Sequence, residues 1–164
     1  MRHIRQLTET GLLAALITIT GAIKLPGLFP GTEFQLSAPL AVAICGVFGF
    51  RQYIIAGVIS SLLGLALGTQ NGLAVLVAMV FRLTAGGVLY LGGSSWPVVA
   101  IAGPVASAAA RMVVGLVVNV SPWPLLVAAL PGMAYTAAAS WPLTLILRKI
   151  KNQSTKVMIH VIQR

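Results

Sequence analysis

Long apolar runs, broken at short intervals by turn residues, dominate this sequence. Six runs have helical length: residues 8–25, 36–50, 53–68, 73–91, 98–120 and 125–147. Each is continuous rather than alternating, which favours helices over the roughly ten-residue alternating strands of a membrane β-barrel. The breaks carry Pro26, Gly27, Pro30 and Gly31, then Arg51-Gln52, TQNG at 69–72, GGSSWP at 92–97 and SPWP at 121–124, all turn-forming sets. About 20 apolar residues cross the roughly 30 Å hydrocarbon core of a bilayer. The pattern therefore predicts an all-α integral membrane protein, a six-transmembrane-helix bundle forming one domain over residues 1–164. The basic tail, 148–164, is expected in water or at the headgroups. The second and third runs are short for a full crossing, so they are expected to pack inside the bundle or to sit where the membrane thins. The basic head MRHIRQL and first run have the outline of a signal peptide. No small-x-small cleavage site follows, so the run is expected to be a retained span.

Composition narrows the function classes. Of 164 residues, 58% are hydrophobic and 8% charged, and the mean hydropathy is +0.97. A soluble domain carries about 25% charged residues, so a soluble enzyme and a disordered tail are excluded. The net charge of +9 points to nucleic acid only if it forms a basic face in water. Here the bases lie mostly at the ends of apolar runs, where they report topology. With the N-terminus cytoplasmic, the inner segments hold Arg2, Arg5, Arg51, Arg148, Lys149, Lys151, Lys156 and Arg164, and the outer loops only Lys24. Both termini are therefore predicted to be cytoplasmic, with the bundle in the cell membrane. Trp96, Trp123 and Trp141 fall near span ends, as interfacial anchors do. The only acids are Glu9 and Glu33, and the only histidines are His3 and His160. That inventory offers neither a carboxylate pair for acid–base catalysis nor a metal cluster, so no enzyme, metal or other cofactor is expected. Cys45 has no disulfide partner and reads as a small buried hydrophobe.

Two arginines interrupt the apolar pattern. Arg82 lies within AMVFRLTAGG and Arg111 within ASAAARMVVG, and an arginine at a span centre costs about 3 kcal/mol on insertion scales. At 1.5 Å per residue, Arg82 lies about 15 Å below Gly72, Arg111 about 13 Å below Val120 and Tyr135 about 16 Å below Pro124. Three helices thus bring polar groups to one layer, with no acid at that depth. Each guanidinium either caps backbone carbonyls and snorkels to water, or lines a pocket open to the outside and pairs with a carboxylate or phosphate. Arg82, beside Gly86 and Gly87, is the better candidate for a packing role. Glu33, Gln35, Gln70, Asn71, Asn119 and Trp123 surround the predicted outer mouth. Loop amides often serve turns alone, so Asn119 and Tyr135, in or near helices, are the stronger pocket candidates. Phe29, Phe34, Trp123 and Tyr135 are suited equally to stacking on a flat ring and to packing.

Gly11, Ala15, Thr18 and Ala22 share one face of the first run at i, i+4, i+7 and i+11. Such a face lets helices approach closely in lipid, either within the chain or against another membrane protein.

Four segments, in order, carry a family resemblance: TETGLLAALITITGAI, FPGTEFQLSAPLAVAICGVFGF, FRLTAGGVLYL and LVAALPGMAYTAAASWPLTLILRKI. Together, over roughly residues 8–150, they resemble the substrate-binding S-component of an energy-coupling factor (ECF) vitamin transporter. The resemblance implies high-affinity capture of a vitamin or vitamin precursor from the outer side, with residues 26–35 and 69–72 covering the site. It also implies association with a transmembrane coupling subunit and two ATPase subunits. The family's docking motif on its first helix maps onto Gly11 and Ala15, flanked by Ala14 and Thr18; Gly11 departs from the family's usual alanine. The chain lacks a GxxxxGK[ST] phosphate loop, as expected of a subunit that relies on others for ATP hydrolysis. The resemblance leaves the substrate open. The absence of metal-ligating histidines argues against a nickel or cobalt cargo, and the unpaired arginines favour an anionic, vitamin-like ligand. The rival expectations are a small oligomeric pore and a structural membrane subunit without a ligand.

Overall fold

The computed structural model describes residues 2–26, 33–35 and 37–162, with side chains at 4, 6–23 and 37–153. The helices are α1 (Arg2–Ala22), α2 (Ser37–Phe48), α3 (Phe50–Ala66), α4 (Gly72–Gly92), α5 (Trp96–Val118) and α6 (Pro122–Ile162). Between α1 and α2 lie strands β1 (Lys24–Pro26) and β2 (Glu33–Gln35), paired antiparallel with Leu25 opposite Phe34. The fold is thus all-helical apart from this hairpin. The first apolar run was expected to remain helical to residue 25. It ends at Ala22 because Pro26 has no N–H to offer a helix, and a short two-stranded ladder pairs part of the freed backbone instead.

α2 has only 12 residues, yet it is the centre of the bundle. Ser37 and Pro39–Cys45 are buried, and Val42, Ala43 and Ile44 are fully enclosed. The short second run therefore packs inside, as one of its two expectations had it. α3 buries one face, through Tyr53, Ala56, Gly57, Ser60, Ser61 and Gly64, and leaves Leu62, Leu63 and Leu67 outside. α5 packs closely on α6, because a Cβ at Gly103 would fall on the Thr136 side chain. Small residues at such crossings bring backbones together.

α6 spans 41 residues, or about 61 Å. It continues through the basic tail, which lacks Gly and Pro and is rich in good helix formers. Pro131 and Pro142 sit inside it. Along its buried face, Thr136 donates to the Gly132 carbonyl at 2.7 Å, Ser140 to that of Thr136 at 2.6 Å and Thr144 to that of Ser140 at 2.7 Å. These bonds satisfy hydroxyls that would otherwise be unpaired in apolar surroundings. At the far end, Arg148 donates to the Ser94 carbonyl at 2.7 Å and Lys151 to the Val47 carbonyl at 2.7 Å. Their cations also stand 5.6 Å from the Trp141 ring centre and 5.0 Å from that of Phe48. Lys151 thereby clasps α6 to the last turn of α2, where the helix dipole favours a cation, and Arg148 ties it to the link between α4 and α5.

α4 and α5 are long and apolar enough to cross a bilayer. The outer surface is apolar on every helix but the buried α2: Leu12, Leu62, Leu83, Leu91, Leu116 and Leu130 are all exposed. Soluble monomers seldom expose more than a few hundred Å² of contiguous apolar surface, so this exterior suits lipid.

Candidate functional site

One end of the bundle holds a cavity of about 510 Å³, lined by residues of all six helices. This is the end at which α1 stops, α2 starts, residues 67–71 link α3 to α4 and residues 119–121 link α5 to α6. Much of the wall is small and apolar, including Ala38, Ala41, Ala78, Ala110, Ala128 and Gly132. Short side chains on close-packed helices leave the volume empty. The polar groups are few, the usual arrangement of a small-molecule site.

Arg82 and Arg111 both line this cavity, but their surroundings differ. Arg82 is 5% exposed and donates to the Ser61 hydroxyl at 2.7 Å, with the Met79 sulfur at 3.5 Å. Gly57 makes room for it, since a Cβ there would stand 2.5 Å from Arg82 Nε. Arg82 is therefore packed into the α3–α4 contact and hydrogen-bonded by its own chain. Arg111, half-buried, follows Ser107 by one turn on α5. Among the described residues no side chain hydrogen-bonds or pairs with it.

Gln70, Asn71 and Tyr135 also line the cavity. The Gln70 side chain lies over Gly64, where a Cβ would come 2.8 Å from its Cδ, and its Oε1 is buried without a partner. Asn71 caps α4, its side chain accepting from the Ala74 N–H at 2.8 Å; the turn role thus falls to this amide. Tyr135 is 40% exposed and presents its ring from α6. Two expected members do not line the cavity. Asn119 is exposed and ends α5 in the left-handed conformation, with φ 55°, a place that favours Asn or Gly for backbone reasons. Trp123 is 72% exposed because the first turn of α6 directs it outward. The side chains of Glu33, Gln35, Phe29 and Phe34 lie outside the described residues.

The cavity is also lined by Thr69, within the turn expected to cover it, and by residues not singled out from sequence, notably Tyr53, Ser107 and Thr136. Tyr53 is fully buried and its hydroxyl has no partner. Ser107 was detectable in principle, four residues before Arg111 on the same helical face. Among the described residues no three His, Cys, Asp or Glu side chains gather.

The small-residue face of α1 divides in two. Gly11 and Ala15 lie on open surface, with no atom within 4 Å of a Cβ built at Gly11. Ala14 is 2% exposed and belongs to the core. Thr18 donates to the Ala14 carbonyl at 2.8 Å and lies 3.0 Å from the Ser60 hydroxyl of α3. Ala14 and Thr18 thus serve packing within the chain.

No family model and no solved structure matches the chain. Among curated proteins it is similar to the one named Protein BioX from Lysinibacillus sphaericus. The two are 44% identical over 147 residues, which is 90% of this chain and 89% of that one. Similarity of that degree over nearly the whole of both chains carries the fold and the cavity-lining helices together, and the chain belongs to the BioX family.

Proposed function

We propose that this protein is the membrane-embedded substrate-binding subunit of an ATP-driven micronutrient importer of the ECF type. In this reading the six helices span the cell membrane with both termini cytoplasmic. The cavity opens outward and captures a vitamin or vitamin precursor bearing a carboxylate. The observation that carries the reading is Arg111, a cation lining a cavity of about 510 Å³ without a protein partner among the described residues. A cationic group kept in an apolar layer costs about 3 kcal/mol, and a bidentate carboxylate offsets that cost in a way that water at the same place does less well. Biotin, a vitamin that bears a carboxylate on an apolar chain, is the first compound to test.

Further support comes from the lining of the cavity, which stops short of the opposite end, where Ile44, Ala85 and Val99 are fully buried. A closed floor suits a binding site better than a pore. In the same reading the protein is not an enzyme. It relies on a transmembrane coupling subunit, docked on the open α1 surface around Gly11 and Ala15, and on two ATPase subunits for energy.

The test is native mass spectrometry of the detergent-purified protein, with identification of any small molecule it carries, followed by calorimetric titration with biotin. A stoichiometric carboxylate-bearing compound, or saturable binding of biotin, is the expected result. A protein that carries nothing and binds neither biotin nor other vitamins and precursors overturns the reading.

A further inference from the structure

Among the described residues, two buried side-chain polar atoms have no hydrogen-bond partner, Tyr53 Oη and Gln70 Oε1. Both belong to residues that line the same cavity. Folded proteins satisfy nearly all such atoms, and those left over call for a functional account. Gln70 stands at the mouth, in the turn between α3 and α4, where its amide meets whatever enters. Tyr53 is different. It is 0% exposed and lies thirteen residues from Ala66, the last residue of α3 at the open end, or about 20 Å down. Arg111 lies seven residues from Val118, the corresponding end of α5, or about 10 Å down. The other charged residue among the described ones that line the cavity, Arg82, already donates to Ser61. The cavity is therefore lined by a free cation at mid-depth and, deeper, by a tyrosine whose enclosed hydroxyl has no partner, on the order of 10 Å apart by helix rise.

We infer that the site is built for a two-ended ligand, with an anionic group held by Arg111 and an uncharged hydrogen-bonding group at its far end read by the Tyr53 hydroxyl. Tyr53 is then a specificity residue. It separates ligands with a polar far end from simple fatty carboxylates, which would leave the phenol unpaired on binding. Discrimination of this kind is strong because the penalty falls on the ligand that lacks the group. The inference rests on the binding-subunit reading and adds to it the chemistry of the ligand's second end.

Tyr53→Phe keeps the ring and its packing and removes only the hydroxyl. The experiment titrates wild type and this variant with biotin, which has a carboxylate and a ureido group at opposite ends, and with octanoate, which has a carboxylate and an apolar tail. The expected result is about a tenfold loss of biotin affinity in Tyr53→Phe, no change toward octanoate, and a ligand-free thermal midpoint no lower than that of wild type. Equal biotin affinity in the two proteins overturns the inference and leaves the binding-subunit reading standing; a water molecule on the hydroxyl predicts that result. Octanoate binding to wild type as tightly as biotin overturns it too, as does a fall in the ligand-free midpoint, which would assign the hydroxyl to the fold. Failure of wild type to bind either compound overturns biotin-type recognition and the inference with it.

Discussion

Replacing Arg111 with alanine should weaken ligand binding by about two orders of magnitude while sparing the fold. A charge-assisted pair between a guanidinium and a carboxylate contributes about 1.5–3 kcal/mol net, and a bidentate pair in this half-buried cavity belongs near the top of that range. Its loss corresponds to a roughly 150-fold weaker Kd at about 3 kcal/mol. Folding should not suffer, because Arg111 has no partner to abandon among the described residues, and in the proposed membrane setting removing a cation from the apolar layer relieves an insertion cost of about 3 kcal/mol. Arg82→Ala provides the contrast. It leaves the Ser61 hydroxyl without its 2.7 Å donor and opens space beside Gly57. An unsatisfied buried hydroxyl alone costs about 1–3 kcal/mol, or several degrees of Tm for a chain of this size. The assay pairs calorimetric titration of biotin with thermal unfolding of the ligand-free protein, followed by tryptophan fluorescence. The reasoning is refuted if Arg111→Ala keeps wild-type affinity, or if it lowers the ligand-free midpoint as far as Arg82→Ala does.

Other perturbations probe separate contacts. Gly57→Ala places a Cβ 2.5 Å from Arg82 Nε and should destabilise by about 1–3 kcal/mol; combined with Arg82→Ala the losses should be less than additive, which a double-mutant cycle reads directly. Lys151→Ala removes the donor to the Val47 carbonyl and the cation over Phe48. It should lower Tm by a few degrees, in line with about 1–2 kcal/mol, without altering biotin affinity. Gly11→Leu together with Ala15→Leu meets no obstacle inside the chain at residue 11, so ligand binding should be unchanged. Co-purification with the proposed coupling subunit should be lost, and its survival would move the docking face elsewhere.

Element type and order were legible from sequence because they rest on local facts. Continuous apolar runs ended by Pro, Gly and polar residues specify helices of limited length. The depth of Arg82, Arg111 and Tyr135 followed from rise per residue alone, and all three meet in one cavity. Composition likewise announced an apolar exterior. What the sequence could not decide was the state of each polar group, since that depends on what faces it across a helix contact. Arg82 and Arg111 look alike in one dimension. Gly57 and Ser61, more than twenty residues away along the chain, absorb Arg82, and nothing described absorbs Arg111. Asn119 and Trp123 were near the mouth in sequence and turned away from it by the cap of α5 and the first turn of α6. Tyr53 entered the site because α3 carries it, fully buried, to the cavity floor. The stripe on α1 also needed the third dimension, since a face is wide enough for Ala14 and Thr18 to pack inward while Gly11 and Ala15 remain on open surface. Sequence determines the helices and the depth of each group along them; only packing decides which of those groups find a partner within the chain and which are left for a ligand.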